Sequence, residues 1–145
     1  MGQDMVRYPI FGLVGASFVT LAIGLGAYGA HGLEDAFSQT PRMKGAWANA
    51  VDYQMFHGLA LFVLGIVRID QKRAKLWMVS GILMTLGVVL FSFSICLWVF
   101  GGPKSLIQIT PLGGISFIFA WVLLAIHQFL NLRRLNLTND SFKDE

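Results

Sequence analysis

Four stretches without a formal charge divide the chain. Asp, Glu, Lys and Arg are absent from Tyr8 to Ala30, from Tyr53 to Val67, from Leu76 to Pro103 and from Ser105 to Leu132. A helix needs about 20 mainly apolar residues to cross a bilayer, and the first, third and fourth stretches meet that length. The second alone would rise about 22 Å, so its helix is extended back towards Trp47, with Asp52 at the interface. The pattern predicts spans at about residues 8–30, 48–67, 76–100 and 111–132, followed by a polar tail, 133–145, expected to fray.

Composition supports this partition. Hydrophobic residues make up 55% of the 145 residues and charged residues 13%, with a mean hydropathy of +0.63. Soluble domains carry about 25% charge, so there is too little here to coat a water-facing surface. The net charge of +3 is scattered at the ends of apolar runs and forms no nucleic-acid patch. The lone Cys96 excludes an internal disulfide and reads as a small packing residue. Arg7 precedes the first run as in a signal peptide, but a signal's apolar region is about 7–15 residues, and this run is longer. The expected fold is therefore all-α: one integral bundle of four transmembrane helices.

Basic residues orient such a bundle. Arg7, Arg68, Lys72, Arg73, Lys75, Arg133, Arg134 and Lys143 fall on one side, and Arg42, Lys44 and Lys104 on the other. Both termini are thus expected in the cytoplasm of a multi-pass inner-membrane protein. Trp77 is placed at the inner interface and Trp47 and Trp98 at the outer one. Trp121 falls in mid-span and is assigned to the bundle interior. Between the first two spans, Leu33, Ala36 and Phe37 have helical spacing and predict a short surface helix ended by Pro41. Pro111 suits the first turn of the last span, with Thr110 as its N-cap. The sequon Asn136-Leu137-Thr138 is discounted because it falls on the cytoplasmic side. Small residues at helical spacing, Ala22, Gly26 and Ala30, with Gly12 and Ala16 as a second pair, predict close helix contact.

The candidate site follows from this topology. "GAYGAHGLED" brings His31, Glu34 and Asp35 to the outer end of the first span. "AVDYQMFHG" starts the second span there, with Tyr53, Gln54 and His57 on one stripe. "FSFS" brings Ser92 and Ser94 to the outer half of the third, and Thr110 opens the fourth. An unpaired polar group in hydrocarbon costs several kcal/mol, so these residues are expected to face one another, with His31 near Tyr53, Gln54 or His57. His127, near the inner end of the last span, is expected at the interface or a neighbouring carbonyl. The "RIDQKRAK" loop reads as a topology anchor, with anionic lipid as a secondary attraction.

Three function classes fit the cluster. The first is a non-enzymatic membrane protein in which the cluster supports packing or binds a small partner. The second is a small oligomeric transporter or channel with His57 near the path. The third is a lipid-modifying enzyme using His31, Glu34 and His57. There is no HExxH or similar zinc spacing and no GxSxG elbow for a serine nucleophile. No cofactor or metal is expected. The expected partners are membrane lipid, a second copy of the chain or another membrane protein.

Four segments, "GAYGAHGLED", "AWANAVDYQMFHGLAL", "GVVLFSFS" and "ITPLGGISFIFAW", stand in the order found in the domain of unknown function 423 family, which is related to the eukaryotic transmembrane protein 256 group. The resemblance covers roughly Gly12 to Ala125. It places Gly26, Gly29, His31 and Gly32 on the first family motif, Tyr53, Gln54 and His57 on the second, and Pro111, Gly113 and Gly114 on the last. Ala22, Gly26, Gly29, Ala30, Gly32, Gly113 and Gly114 are the candidate packing positions. The chain departs from the third motif at Phe93, Ile95 and Cys96, where the family tends to have glycine and a Leu-Tyr pair. The resemblance implies a four-helix inner-membrane protein and carries no substrate, reaction or catalytic residue across.

Overall fold

A computed structural model of the chain describes residues 5–141, with side chains as far as Arg134. The fold is all-α apart from two strands of two residues each. In chain order the elements are β1 (Met5–Val6), α1 (Pro9–His31), α2 (Glu34–Gln39), α3 (Pro41–Ile66), β2 (Ile69–Asp70), a 3₁₀ turn (Gln71–Arg73), α4 (Ala74–Val88), a π-helical segment (Val89–Phe93), α5 (Ser94–Val99) and α6 (Leu106–Ser141). Among the described residues, three stretches are long and apolar enough to cross a membrane: Pro9–His31, Gln71–Val99 and Leu106–Arg134. α3 has 26 residues, a rise of about 39 Å, but Asp52, Tyr53, Gln54 and His57 dilute its apolar character.

α1 packs chiefly on α3, and α4 on α6. The α1–α3 contact is antiparallel and close because glycines face backbone. Gly12 lies against Gly65, and a Cβ on Gly15 would fall 2.5 Å from the Gly58 carbonyl oxygen and 2.9 Å from the Leu61 carbonyl carbon. Further along, Phe18 meets Gln54 and Gly29 lies under the Trp47 indole. The buried stripe of α1 is Phe11, Gly12, Gly15, Phe18 and Ala22. That of α3 is Trp47, Ala50, Gln54, His57, Gly58, Leu61, Leu64 and Gly65. Both keep steps of three and four, which hold a seam facing its partner.

The close row differs from the expected one. Gly15 carries it where Ala16 was expected, because Ala16 and Ala30 are exposed. Gly26 meets only the Val51 side chain, at an ordinary 3.6 Å.

The core divides into two apolar clusters. Towards one end, Phe11, Phe18, Leu61, Leu64, Trp77, Met84, Val88, Phe117 and Ala120 pack together with Ile69 and Ala74. Towards the other, Leu33, Trp47, Ala50, Ile95, Cys96, Trp98 and Val99 do so. Cys96 is free and buried, in a packing position.

One end of the bundle is clasped. β1 pairs antiparallel with β2, Met5 opposite Asp70 and Val6 opposite Ile69. Asp70 accepts from the Lys72 backbone N–H at 3.0 Å and pairs with Arg134 of α6. Arg73 donates to Asn131 Oδ1 at 2.6 Å. The N-terminal strand, the α3–α4 link and the far end of α6 therefore share one end, which gathers Arg7, Arg68, Lys72, Arg73, Lys75, Arg133 and Arg134.

Several local expectations change. α2 forms, with Leu33 buried beside it, but Pro41 does not merely end it. Pro41 opens α3, where its missing N–H costs no helical bond. α6 starts at Leu106, so Pro111 lies inside the helix and Thr110 is not a cap. α6 continues to Ser141 where the polar tail was expected to fray; adding a residue to an existing helix fixes only one more φ/ψ pair per hydrogen bond. The sequon lies in that continuation, beyond the described side chains, and Lys143 lies outside the described residues. Trp47, Trp77 and Trp98 are buried within the bundle, and Trp121, assigned to the bundle interior, is half exposed.

Candidate functional site

A polar layer separates the two apolar clusters. Gln54 and His57 of α3, Ser92 of the π-helical segment and Ser94 of α5 are all buried. Helix periodicity puts Gln54 and His57 on the inward stripe of α3. The π-helical turn, with its wider hydrogen-bond pattern, shifts register so that Ser92, Ser94 and Cys96 all turn inward. It is held tightly: a Cβ on Gly113 of α6 would lie 2.5 Å from the Phe91 backbone nitrogen and 2.9 Å from the Gly87 carbonyl oxygen. Gly114 is looser, with Phe91 at 4.0 Å.

His57 has both ring nitrogens engaged. Nδ1 lies 2.7 Å from the Tyr53 carbonyl oxygen, and Nε2 accepts from Trp121 Nε1–H at 3.2 Å. A carbonyl can only accept and an indole N–H can only donate. These partners define a neutral imidazole protonated on Nδ1. Its ring stacks on Phe117, with centroids 3.5 Å apart and planes at 15°. Tyr53, 43% exposed, extends the stack to Phe91 at 4.8 Å. Gln54 Nε2 donates to the Phe18 carbonyl oxygen at 3.0 Å. The Ser94 hydroxyl meets the Leu90 carbonyl at 2.7 Å, the Phe91 carbonyl at 2.9 Å and Thr110 Oγ1 at 2.8 Å. Gln54 Oε1, Ser92 Oγ and Trp47 Nε1 are buried without a hydrogen-bond partner among the described residues.

The structure thus brings Gln54, His57, Ser92 and Ser94 into one layer, with Tyr53 at its edge and Thr110 bonded to it. It does not bring His31 or Glu34 there. Phe18 is level with Gln54, and His31 lies 13 residues beyond Phe18, about 20 Å along α1. His31 is exposed at the end of α1, and Glu34 is exposed in the first turn of α2. Glu34 instead lines a crevice of about 570 Å³ with Gly29, Ala30, Phe37, Ser38 and Lys44. Gly32 ends α1 under the Tyr28 ring, its N–H bonded to the Tyr28 carbonyl at 2.6 Å.

Two features escape the sequence reading. Trp121 is the partner of His57, and the signal for it was an indole N–H placed at mid-span, which needs an acceptor in hydrocarbon. Among the described residues His127 makes no hydrogen bond to a carbonyl; it is buried against Trp77, ring centroids 5.1 Å apart, with Asn131 Nδ2 at 3.4 Å. Trp77 Nε1 donates to the Leu64 carbonyl at 2.9 Å, tying α4 to α3. Among the described residues, no group of three or more His, Cys, Asp or Glu is arranged to hold a metal ion.

The profile of a family described as "Protein of unknown function (DUF423)" matches residues 25–114. The chain belongs to the DUF423 family. A UPF0382 membrane protein of Staphylococcus haemolyticus is 38% identical over 120 residues, 83% of this chain and 95% of its own length. The UPF0382 membrane protein YwdK of Bacillus subtilis is 37% identical over 117 residues, 81% of this chain and 94% of its own. No solved structure matches. The DUF423 match spans every sequence-predicted polar residue from His31 to Thr110, while Trp121 lies beyond it. The family relatives are membrane proteins, and their names carry no specific activity.

Proposed function

We infer that this DUF423 protein is a four-span plasma-membrane protein with both termini cytoplasmic, which acts by binding lipid or another membrane protein and not by catalysis. The polar layer then fixes helix register. The observation that carries this reading is the full engagement of His57: Tyr53 and Trp121 occupy both nitrogens, so neither is free for a proton relay, a metal or a nucleophile. Ser94 is likewise committed to two carbonyls and Thr110. Polar contacts between membrane helices contribute about 0.6 kcal/mol each on average, which suits a register device. The gathering of Arg7, Arg68, Lys72, Arg73, Lys75, Arg133 and Arg134 at the clasped end supports the cytoplasmic assignment. It also favours α3 as a span, since α1 and α3 run antiparallel over their whole length.

His57→Leu tests the role of the layer. The variant is expected to fold, to unfold at a lower temperature in detergent, and to respond to pH between about 5 and 8 as the parent does. A pH response in the parent that His57→Leu removes would instead mean a proton or ligand site. For sidedness, single cysteines at Asp35 and Lys72 in a Cys96→Ser background are expected to react with an impermeant thiol reagent from opposite faces; labelling from one face would sink the four-span arrangement.

A further inference from the structure

The surface between α3, α4 and α6 carries a groove of about 430 Å³. Its walls include Val63 and Leu64 of α3, Trp77 of α4, and Trp121, Leu124 and Gln128 of α6. Val63 and Trp121 are each half exposed, so the groove opens sideways, towards the acyl chains that surround a membrane bundle. Its character changes along its length. The stretch beside Trp121 is apolar. Trp77 and Gln128 lie nearer the clasped end, and one helical turn further come Arg73, four residues before Trp77, and Asn131, three residues after Gln128. These two are bonded at 2.6 Å, and Asn131 Nδ2 also lies 3.5 Å from Gln128 Oε1. The half-buried Arg73 therefore stands one turn beyond the lining residues, at the groove's clasped end. Asp70, three residues before Arg73, is engaged by Arg134, and among the described residues no carboxylate pairs with Arg73.

We propose that this groove holds one anionic phospholipid, with an acyl chain along Val63, Leu64, Trp121 and Leu124 and its phosphate at Arg73. A guanidinium offers five N–H donors in a planar fork and binds phosphate through two in parallel; Asn131 uses one and orients the rest. Charge selects the headgroup. A zwitterionic lipid would bring its ammonium among Arg68, Lys75 and Arg133 at the same end, whereas a net-negative lipid meets no like charge. A second copy of the chain fits less well, because Asp70, the acid at this end whose side chain is described, is already paired. The inference requires membrane embedding, which the family relatives share, and does not depend on which face is cytoplasmic.

The experiment is tryptophan quenching by lipids brominated on the acyl chain, with the full-length protein in liposomes. Trp121 is the exposed indole, so it dominates the signal, and Trp121→Phe supplies the background. Brominated phosphatidylglycerol, as a minor component in phosphatidylcholine, is expected to quench more strongly than brominated phosphatidylcholine under matched conditions. Arg73→Gln should weaken that preference roughly tenfold, Arg73→Lys should retain part of it, and Arg42→Gln, an exposed cation at the opposite end of α3, should leave it in place. Ala125→Phe, which fills the groove without adding an indole, should lower quenching of Trp121 by both lipids. Should Arg73→Gln fail to fold, Arg73→Lys and Ala125→Phe carry the test. Equal quenching by the two lipids in the parent overturns the proposal, as does a preference that survives Arg73→Gln. Protection of Trp121 from both lipids, together with cross-linking of two chains through Ala125→Cys in a Cys96→Ser background, would assign the groove to a second copy instead.

Discussion

Trp121 and His57 stand 64 residues apart in sequence and share a hydrogen bond of 3.2 Å, indole N–H to imidazole Nε2. The bond crosses from α6 to α3 and lets a half-exposed aromatic residue satisfy a buried one. It also fixes the tautomer of His57, because the Tyr53 carbonyl claims the other ring nitrogen.

A double-mutant cycle of His57→Leu and Trp121→Phe should therefore show coupling. The expected interaction is about 0.5–1.5 kcal/mol, the range for a single membrane hydrogen bond between helices. Thermal unfolding of the four proteins in one detergent reads it. Strict additivity would mean that the two side chains do not meet.

The glycines of α1 should differ sharply. Gly15→Ala drives a Cβ into the backbone of Gly58 and Phe62, so the helices must separate, at a cost of about 1–3 kcal/mol. Gly26→Ala meets only the Val51 side chain at 3.6 Å and should change stability by no more than about 0.5 kcal/mol. Comparable losses for both would place the seam of α1 elsewhere.

Gln54→Leu should be tolerated. The Gln54 amide donates to the Phe18 carbonyl, but that oxygen also sits within α1 as a helical acceptor, and Gln54 Oε1 has no partner among the described residues. Replacing the amide by an apolar group of similar size removes an unsatisfied acceptor as well as a bond, so stability should shift by less than about 1 kcal/mol. A loss several times larger, measured by the same unfolding assay, would mean that Oε1 has a partner of its own.

The clasped end should loosen in acid. The Lys72 backbone N–H, and then the Arg134 guanidinium, hold the Asp70 carboxyl below its ordinary value. A carboxyl depressed in the folded state stabilises fully above its unfolded pKa, near 4, and loses that contribution as pH falls through the depressed value. Amide hydrogen exchange at Val6 and Ile69, corrected for the intrinsic pH dependence, should show falling protection below about pH 4. Asp70→Asn should flatten that dependence; an unchanged profile in Asp70→Asn would assign the effect to another group.

Charge-free length alone was enough to read the helical class and the approximate position of the apolar runs, because hydrocarbon admits few other ways to satisfy a backbone. The inward stripe of α3, with Gln54 and His57 on it, was legible from periodicity, and so was the need for its polar groups to find partners. Which partners they find was decided only in three dimensions. His31 shares a motif with no charge between it and the first apolar run, yet the α1–α3 register, set by Gly12 against Gly65 and Gly29 against Trp47, leaves it about 20 Å from Phe18. Register depends on where two backbones can approach, and that is a property of both helices together. The same holds for the π-helical turn at Val89–Phe93, which is set by contact with Gly113. It holds for Trp121 too, whose mid-span place announced a need for an acceptor and whose acceptor lay on a helix the local sequence does not contain.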